Sequence, residues 1–580
     1  MNYHDHDPDC IDPLVPELGG EVRLCVRTAA RRGQLVYLHH GELVRLELTP
    51  TNGGLEARMP VVEPVLRYAF FLEGRFFGSH GDEGALPRYD RFFHLLTAPG
   101  VPDWAAGRVF YQIFPDRFRN GRPELSPRSG AWAYQGEPIV AKPWGAPPDP
   151  AQGAREFYGG DLWGVVEALD YLDDLGVGGL YLTPIFKSPS SHRYDTEDYC
   201  EIDPNLGGRP AFDALVQGLH QRGMRLVLDG VFNHTGDRFF GFQEALANPH
   251  SPWREAFTFF PGGHYAAFFG VPTLPKLNYA SELVWRYFVT GPGAVVRRWI
   301  RAGADGWRLD VAQQIGEGGT DRGNARVLRA IREAARAEDP RAYVFGELAF
   351  DTVPYLRAHT LDGAMHYAGF ANPLLEWLGG RDWYGQEVRT GAAEVWQTLW
   401  DHYAALPLGV RQTMYTLIGS HDVPRPLWRL RGDVEKLKLL FGVLLTFPGA
   451  PGIYYGDEIG LDQANPYDVW RGDPLNRGTF PWERERWNED VRGWVRRLVR
   501  LRRERVELRR GALLPLAGPA GALAYRRRYR GRELWVLAAP EPVRWRVPRM
   551  RDLLAGREVE GELEWRGTRV FEPLEGGGDA

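Results

Sequence analysis

Cysteine is nearly missing from this chain. Only Cys10, Cys25 and Cys200 occur among 580 residues. Three widely spaced thiols make neither a disulfide framework nor a zinc-ligand pattern. Long apolar runs are also missing. The longest, residues 439–447, is too short to span a bilayer. Residues 1–10 are acidic and polar, without the apolar core of a signal peptide. No membrane partner and a cytoplasmic location are therefore expected. No large excess of positive charge exists either: the formal net charge is −5. Nucleic acid is not expected as a partner, because phosphate binding needs a clustered cationic surface.

What is present is apolar and aromatic. Hydrophobic residues make up 44% and aromatic residues 13%, with 20 tryptophans. Such a chain can bury a large core, and some aromatic faces suit the C–H faces of sugar rings. Residues 1–100 alternate in the manner of strands, as at 21–27, 41–48 and 67–72. They predict an N-terminal β-sandwich, followed by a linker at 99–102. From residue 108 short apolar strands alternate with amphipathic helices. Strand candidates lie at 108–114, 178–182, 225–229, 306–310, 343–347, 363–366, 416–419 and 452–455. Eight such units predict a closed (β/α)8 TIM barrel over residues 101–510. The segments 119–156 and 235–281 are too long for plain loops. The second is read as a subdomain inserted after strand three. Alternation returns at 522–526 and 532–537, predicting a small C-terminal β domain over 511–580, with 576–580 frayed.

Asp229, Asp310, Glu347 and Asp422 each fall at or just after the end of a different predicted strand. One such aspartate is usually structural. Four at one barrel mouth are not, because burying unpaired charge is costly. Arg308 and Asp310 share a strand face. The guanidinium is expected to lower the carboxyl pKa and suit Asp310 to attack as a nucleophile. Glu347 follows an apolar strand and precedes Leu348-Ala-Phe350, so partial desolvation should raise its pKa and suit a general acid. Retaining glycoside hydrolysis needs this division of labour. Asp422, beside His421, would hold sugar hydroxyls.

These segments resemble the α-amylase superfamily, glycoside hydrolase family 13, over about residues 108–510. The resemblance rests on Asp229-Gly-Val-Phe-Asn-His234, Gly306-Trp-Arg-Leu-Asp310, Phe345-Gly-Glu347 and Ser420-His-Asp422, in family order. It implies Asp310 as nucleophile, Glu347 as acid/base and Asp422 as the third active-site carboxylate. Asp229, His234, Arg308 and His421 would bind or orient the same sugar. His192-Arg-Tyr-Asp195 is similar to the substrate loop, with Tyr194 as platform and His192 as donor. Leu274-Pro-Lys-Leu-Asn278, Tyr111-Gln-Ile-Phe-Pro-Asp-Arg-Phe118, Phe157-Tyr-Gly-Gly-Asp-Leu162 and Tyr454-Tyr-Gly-Asp-Glu458 look like the neopullulanase, cyclomaltodextrinase and maltogenic amylase group. Ser251-Pro-Trp-Arg254 and Gly316-Glu-Gly-Gly319 look more like maltodextrin glucosidase.

The resemblance implies hydrolysis of α-1,4 bonds in maltodextrins, cyclodextrins or pullulan. A transglycosylase or glucosyl isomerase on the same scaffold is the alternative. Gln313-Gln314 departs from the group's pattern where the sugars beyond the scissile bond would lie, and Leu348-Ala349 departs from it directly after Glu347. No cofactor is required. Calcium is a possible ligand of Asn120 and Asp161, and a homodimer through the N-terminal domain is a possible assembly. Three basic or histidine-rich runs are set aside. His4-Asp-His-Asp7 is read as a mobile terminus, His39-His40 as a turn and residues 526–530 as a solvated strand face.

Overall fold

A computed structural model describes residues 2–382, 385–463 and 475–574. The predicted fold class is the one observed. Eight parallel strands form the central sheet: β1 Phe110–Ile113, β2 Gly179–Leu182, β3 Arg225–Gly230, β4 Gly306–Leu309, β5 Tyr343–Gly346, β6 Gly363–Ala364, β7 Tyr415–Leu417 and β8 Ala450–Tyr454. Each pairs with its neighbours in sequence, and β8 returns to β1. A parallel bridge from Met365 to Tyr415 joins β6 to β7 and closes the barrel. These strands are buried on both faces, which is why they read as short apolar runs without alternation. Gly306 is required by closeness of approach: a Cβ there would lie 2.1 Å from the Tyr343 carbonyl on β5.

Helices cover the outside. Helix Gly208–Gln221, after β2, buries Ala211, Phe212, Leu215, Val216 and Leu219 along one stripe. Residues 235–281 lie between β3 and β4. Phe242 packs edge-on against Phe257 and Tyr265, and isolated bridges tie Phe257 to Leu277 and His234 to Lys276. The insertion is thereby pinned over the C-terminal end of β3.

Before the barrel, two antiparallel sheets of four and six strands enclose a core that includes Val22, Leu24, Leu35, Tyr68 and Phe70. After it, a four-stranded antiparallel sheet runs from Ala512 to Pro573. Residues 576–580, expected to fray, lie outside the described residues.

Two sequence expectations are corrected here. The His4-Asp-His-Asp7 run is anchored, not mobile. His4 is buried and its ring nitrogens meet the Cys25 carbonyl at 2.8 Å and the Tyr68 hydroxyl at 2.7 Å. Asp5 accepts from Tyr403 at 2.9 Å and pairs with Arg411 at 3.2 Å. A polar run can be interior when each group finds a partner, and here the N-terminal sheets serve His4 while the barrel serves Asp5. Arg527, within the expected solvated face, is fully buried and donates to the carbonyls of Thr446, Leu508 and Gly511. The His39-His40 pair does turn the chain, with His40 at φ 49°.

Candidate active site

The C-terminal ends of β3, β4, β5 and β7 deliver four carboxylates to one guanidinium. Arg308, on β4, is wholly buried. Its Nη1 lies 2.8 Å from Asp229 and 2.9 Å from Asp310. Its Nη2 lies 3.0 Å from Glu347 and 4.0 Å from Asp422. Asp310 and Glu347 therefore sit on adjacent nitrogens of the same guanidinium. Side-chain exposure rises from 7% at Asp310 through 20% at Glu347 to 33% at Asp422. Asp310 is thus the deepest of the three, and the other two face the opening.

Backbone strain helps to set this geometry. Val311 sits at φ 44°, ψ 45°, a conformation that β-branched residues avoid. It turns the Val311 N–H onto Glu347 Oε2 at 2.9 Å. The residue after Asp310 therefore orients Glu347.

Burial pushes the Asp310 carboxyl well above the ordinary carboxylate range; Arg308 opposes this and the Glu347 charge adds to it. Glu347 is also raised, first by burial, with Arg308 again opposing. The expectation that Arg308 alone would lower Asp310 is corrected: one cation among four buried acids does not offset their desolvation. Asp229, pushed up to about 6 by burial, accepts from Tyr181 at 2.7 Å and Tyr194 at 2.9 Å.

The remaining predicted residues surround this cluster. The Tyr194 ring lies parallel to His421 at 5.5 Å, and its hydroxyl bonds the His421 Nε2. His421 Nε2 is also 3.1 Å from Asp422, and its Nδ1 meets Gln112 Nε2 at 2.7 Å. His234 stacks on Phe268 at 5.1 Å, and burial pushes its pKa down to about 3, so it is neutral. Its buried Nε2 has no protein partner among the described residues. His192 touches Ser190 at 3.2 Å and stays partly exposed at the rim. All nine candidates share this mouth.

The sequence matches the family described as "Alpha-amylase: Alpha amylase, catalytic domain" over residues 112–264 and 261–497. The chain belongs to the alpha-amylase family. It is 38% identical over 472 residues to a cyclomaltodextrinase of Geobacillus thermopakistaniensis (strain MAS1), covering 78% of this chain and 73% of that one. It is 37% identical to an intracellular maltogenic amylase of Bacillus subtilis, over 76% and 71% of the two chains. Among solved structures, the type III pullulan hydrolase from Thermococcus kodakarensis aligns over 99% of this chain and 100% of its own. That match has a TM-score of 0.75 and 25% identity. As a member of the alpha-amylase family the chain is a glycoside hydrolase.

Several supporting residues of this alpha-amylase site went unread in the sequence. Gln112 and Tyr181 are polar groups inside apolar strands, and a buried polar group demands a partner; that was the available signal. Arg477 donates to the His421 carbonyl at 2.9 Å and reaches Asp422 at 3.4 Å. Arg117 in turn holds the Arg477 carbonyl at 2.7 Å and pairs with Asp116 at 2.8 Å. The Phe-Pro-Asp-Arg-Phe run is thus a brace behind Asp422. Glu458 accepts from Tyr111 and Tyr171 at 2.8 and 2.5 Å, tying the β8 motif to β1.

Of the two side chains named for calcium, Asp161 is engaged within the fold. Asp161 accepts from the backbone N–H groups of Gly164, Gly121 and Arg122, capping a helix. Asn120 Oδ1 alone lacks a protein partner. Calcium takes about six to eight oxygens. No group of three or more His, Cys, Asp or Glu suited to a metal occurs among the described residues.

Proposed function

We propose that this protein hydrolyses α-1,4-glucosidic bonds in maltodextrins, cyclodextrins or pullulan with retention of anomeric configuration. The convergence of Asp310 and Glu347 on the two nitrogens of one guanidinium, Arg308 Nη1 at 2.9 Å and Nη2 at 3.0 Å, carries this reading. Inverting enzymes hold their two acids about 6.5–9.5 Å apart to admit a water, whereas retaining enzymes keep about 5–5.5 Å. Asp310 attacks the anomeric carbon once its proton is lost. Glu347 protonates the leaving oxygen and then takes a proton from the incoming water. Ionisation of Asp310 is favoured by Arg308, while the half-open position of Glu347 gives its proton a path to the substrate. Asp422, braced by Arg477 and His421, accepts hydroxyl protons from the same sugar. Tyr194 supplies a ring face, and His234 Nε2 meets a further hydroxyl.

The names of the relatives support the substrate class: a cyclomaltodextrinase, a maltogenic amylase and a pullulan hydrolase. A cytoplasmic location is supported by the intracellular relative. No helix among the described residues is long and apolar enough to cross a membrane. A homodimer is supported by Phe269 and Phe350, which are 71% and 75% exposed. Such apolar surface suits cover by a partner's N-terminal domain. Light scattering should then give twice the monomer mass; only monomer would contradict it. For the reaction, maltotriose, β-cyclodextrin and pullulan should each be digested and the first product followed by NMR. Short α-anomeric sugars are expected. Initial β-anomers would contradict retention, and products longer than maltotriose in the maltotriose digest would favour glucosyl transfer.

A further inference from the structure

We propose that the opposite end of the barrel carries a binding site for a small anion with several phosphate groups. A cavity of about 620 Å³ opens there, beside Val109, Gly178 and Met224, which precede β1, β2 and β3. Eight arginines line it, against two aspartates, Asp103 and Asp173. It shares no residue with the carboxylate-lined mouth.

Half of these arginines are accounted for by a carboxylate. Arg222 pairs with Asp170 at 2.6 Å, Arg225 with Asp305 at 2.8 Å, Arg341 with Asp339 at 3.1 Å and Arg510 with Asp103 at 2.5 Å. The other four have none. Arg502 is buried on carbonyl oxygens. Arg108 donates only to the carbonyls of Trp104, Gly178 and Gly223. Arg503 is exposed, and neither it nor Arg509 makes an ion pair among the described residues. The enclosed Nε of Arg509 lacks any partner. Burial pushes the Arg108 pKa down; Arg225, Arg503 and Arg509 add to this, and Asp305 opposes it.

Basic residues at helix C-termini have an ordinary reason, since they complement the helix dipole. Arg503, Arg509 and Arg510 occupy the last turns of helices Glu489–Glu504 and Val506–Arg510. That effect is worth about 0.3–1 kcal/mol at each end. It does not call for Arg108, Arg503 and Arg509, none of them in an ion pair among the described residues, to converge on one concavity. Planar guanidinium forks are matched by phosphate oxygens, two N–H donors to one group. Three uncompensated cations ask for more than one phosphate. The Trp104 ring already has two guanidinium groups over it, Arg108 at 5.6 Å and Arg225 at 5.8 Å. A nucleobase stack on that ring is therefore not part of the proposal.

The test is calorimetric titration of the full chain with inorganic tripolyphosphate, ATP and inorganic phosphate at low salt. Saturable binding of tripolyphosphate at one site per chain is expected, weakening as salt rises. Arg503→Ala and Arg509→Ala should each weaken it by about tenfold, the cost of one charge-assisted contact. Hydrolytic activity without phosphate should not change in either variant. ATP binding as tightly as tripolyphosphate assigns recognition to the phosphate chain. Tighter ATP binding assigns it to a nucleoside polyphosphate. No saturable binding at millimolar tripolyphosphate overturns the proposal. So does equal affinity for single phosphate, or unchanged affinity in both variants.

Discussion

Two arginines of this chain are equally buried and face opposite surroundings. Arg308, at the C-terminal end of the barrel, has four carboxylates within 4.0 Å, and its pKa is raised far above the ordinary value. Arg502, at the N-terminal end, has only the carbonyls of Gly107, Leu445, Phe447 and Gly449, and its pKa is pushed far down. Burial opposes the charge in both. What differs is whether full or partial negative charge surrounds it. The first cation gathers four acids at one site and opposes the rise in their pKa values. The second is a staple that satisfies backbone acceptors between elements. Burial of a charge therefore does not mark a function; the chemistry of its partners does.

The largest effect should come from removing the acids that Arg308 serves. Asp310→Asn and Glu347→Gln should each lower turnover by about 10⁴-fold or more, with thermal unfolding unchanged. Steady-state kinetics beside a melting curve measure both. Near-normal turnover in either variant would break the distinction. Next, Arg308→Met should cost roughly 10²–10³-fold in kcat, because a preorganised cation at the reacting centre is lost. Arg502→Met should do the reverse. It leaves four carbonyls without their donor and costs about 3 kcal/mol of stability, with kcat of the folded fraction kept. A loss of kcat without a lowered Tm in Arg502→Met would contradict its role as a staple.

The smallest effect concerns buried histidines. Burial pushes His94, His234 and His366 each down to about 3. Between that value and the ordinary 6.5 the unfolded chain binds more protons than the folded one. Stability is therefore complete above about pH 6.5 and falls as the pH drops toward 3. Each histidine contributes about 1.4 kcal/mol per pH unit within that window. Neither ring nitrogen of His366 has a partner among the described residues. His366→Leu should flatten the acid limb of a Tm-against-pH curve by one histidine's share, and an unchanged slope would contradict this.

The barrel was legible because its strands are short, apolar and regularly spaced, and because their ends carry acids. Asp229, Asp310 and Glu347 could be read from strand ends alone. The supports could not, since Arg477 reaches His421 from a segment 56 residues away. The buried N-terminal run was misread because polarity was taken for exposure. Its partners, Tyr68, Tyr403 and Arg411, come from distant parts of the chain. The direction of the Asp310 pKa was misread for a related reason. A neighbouring arginine is visible in sequence, whereas the depth of burial and the three competing acids are visible only in the fold.

The central claim is that Asp310 makes the covalent bond to the sugar. A slow-turnover fluorinated α-glucosyl fluoride should trap that bond, and peptide mass mapping should locate the added mass. The account predicts a label on the peptide containing Asp310, lost in Asp310→Asn. A label on Glu347 or Asp422 in the unmodified sequence would contradict it.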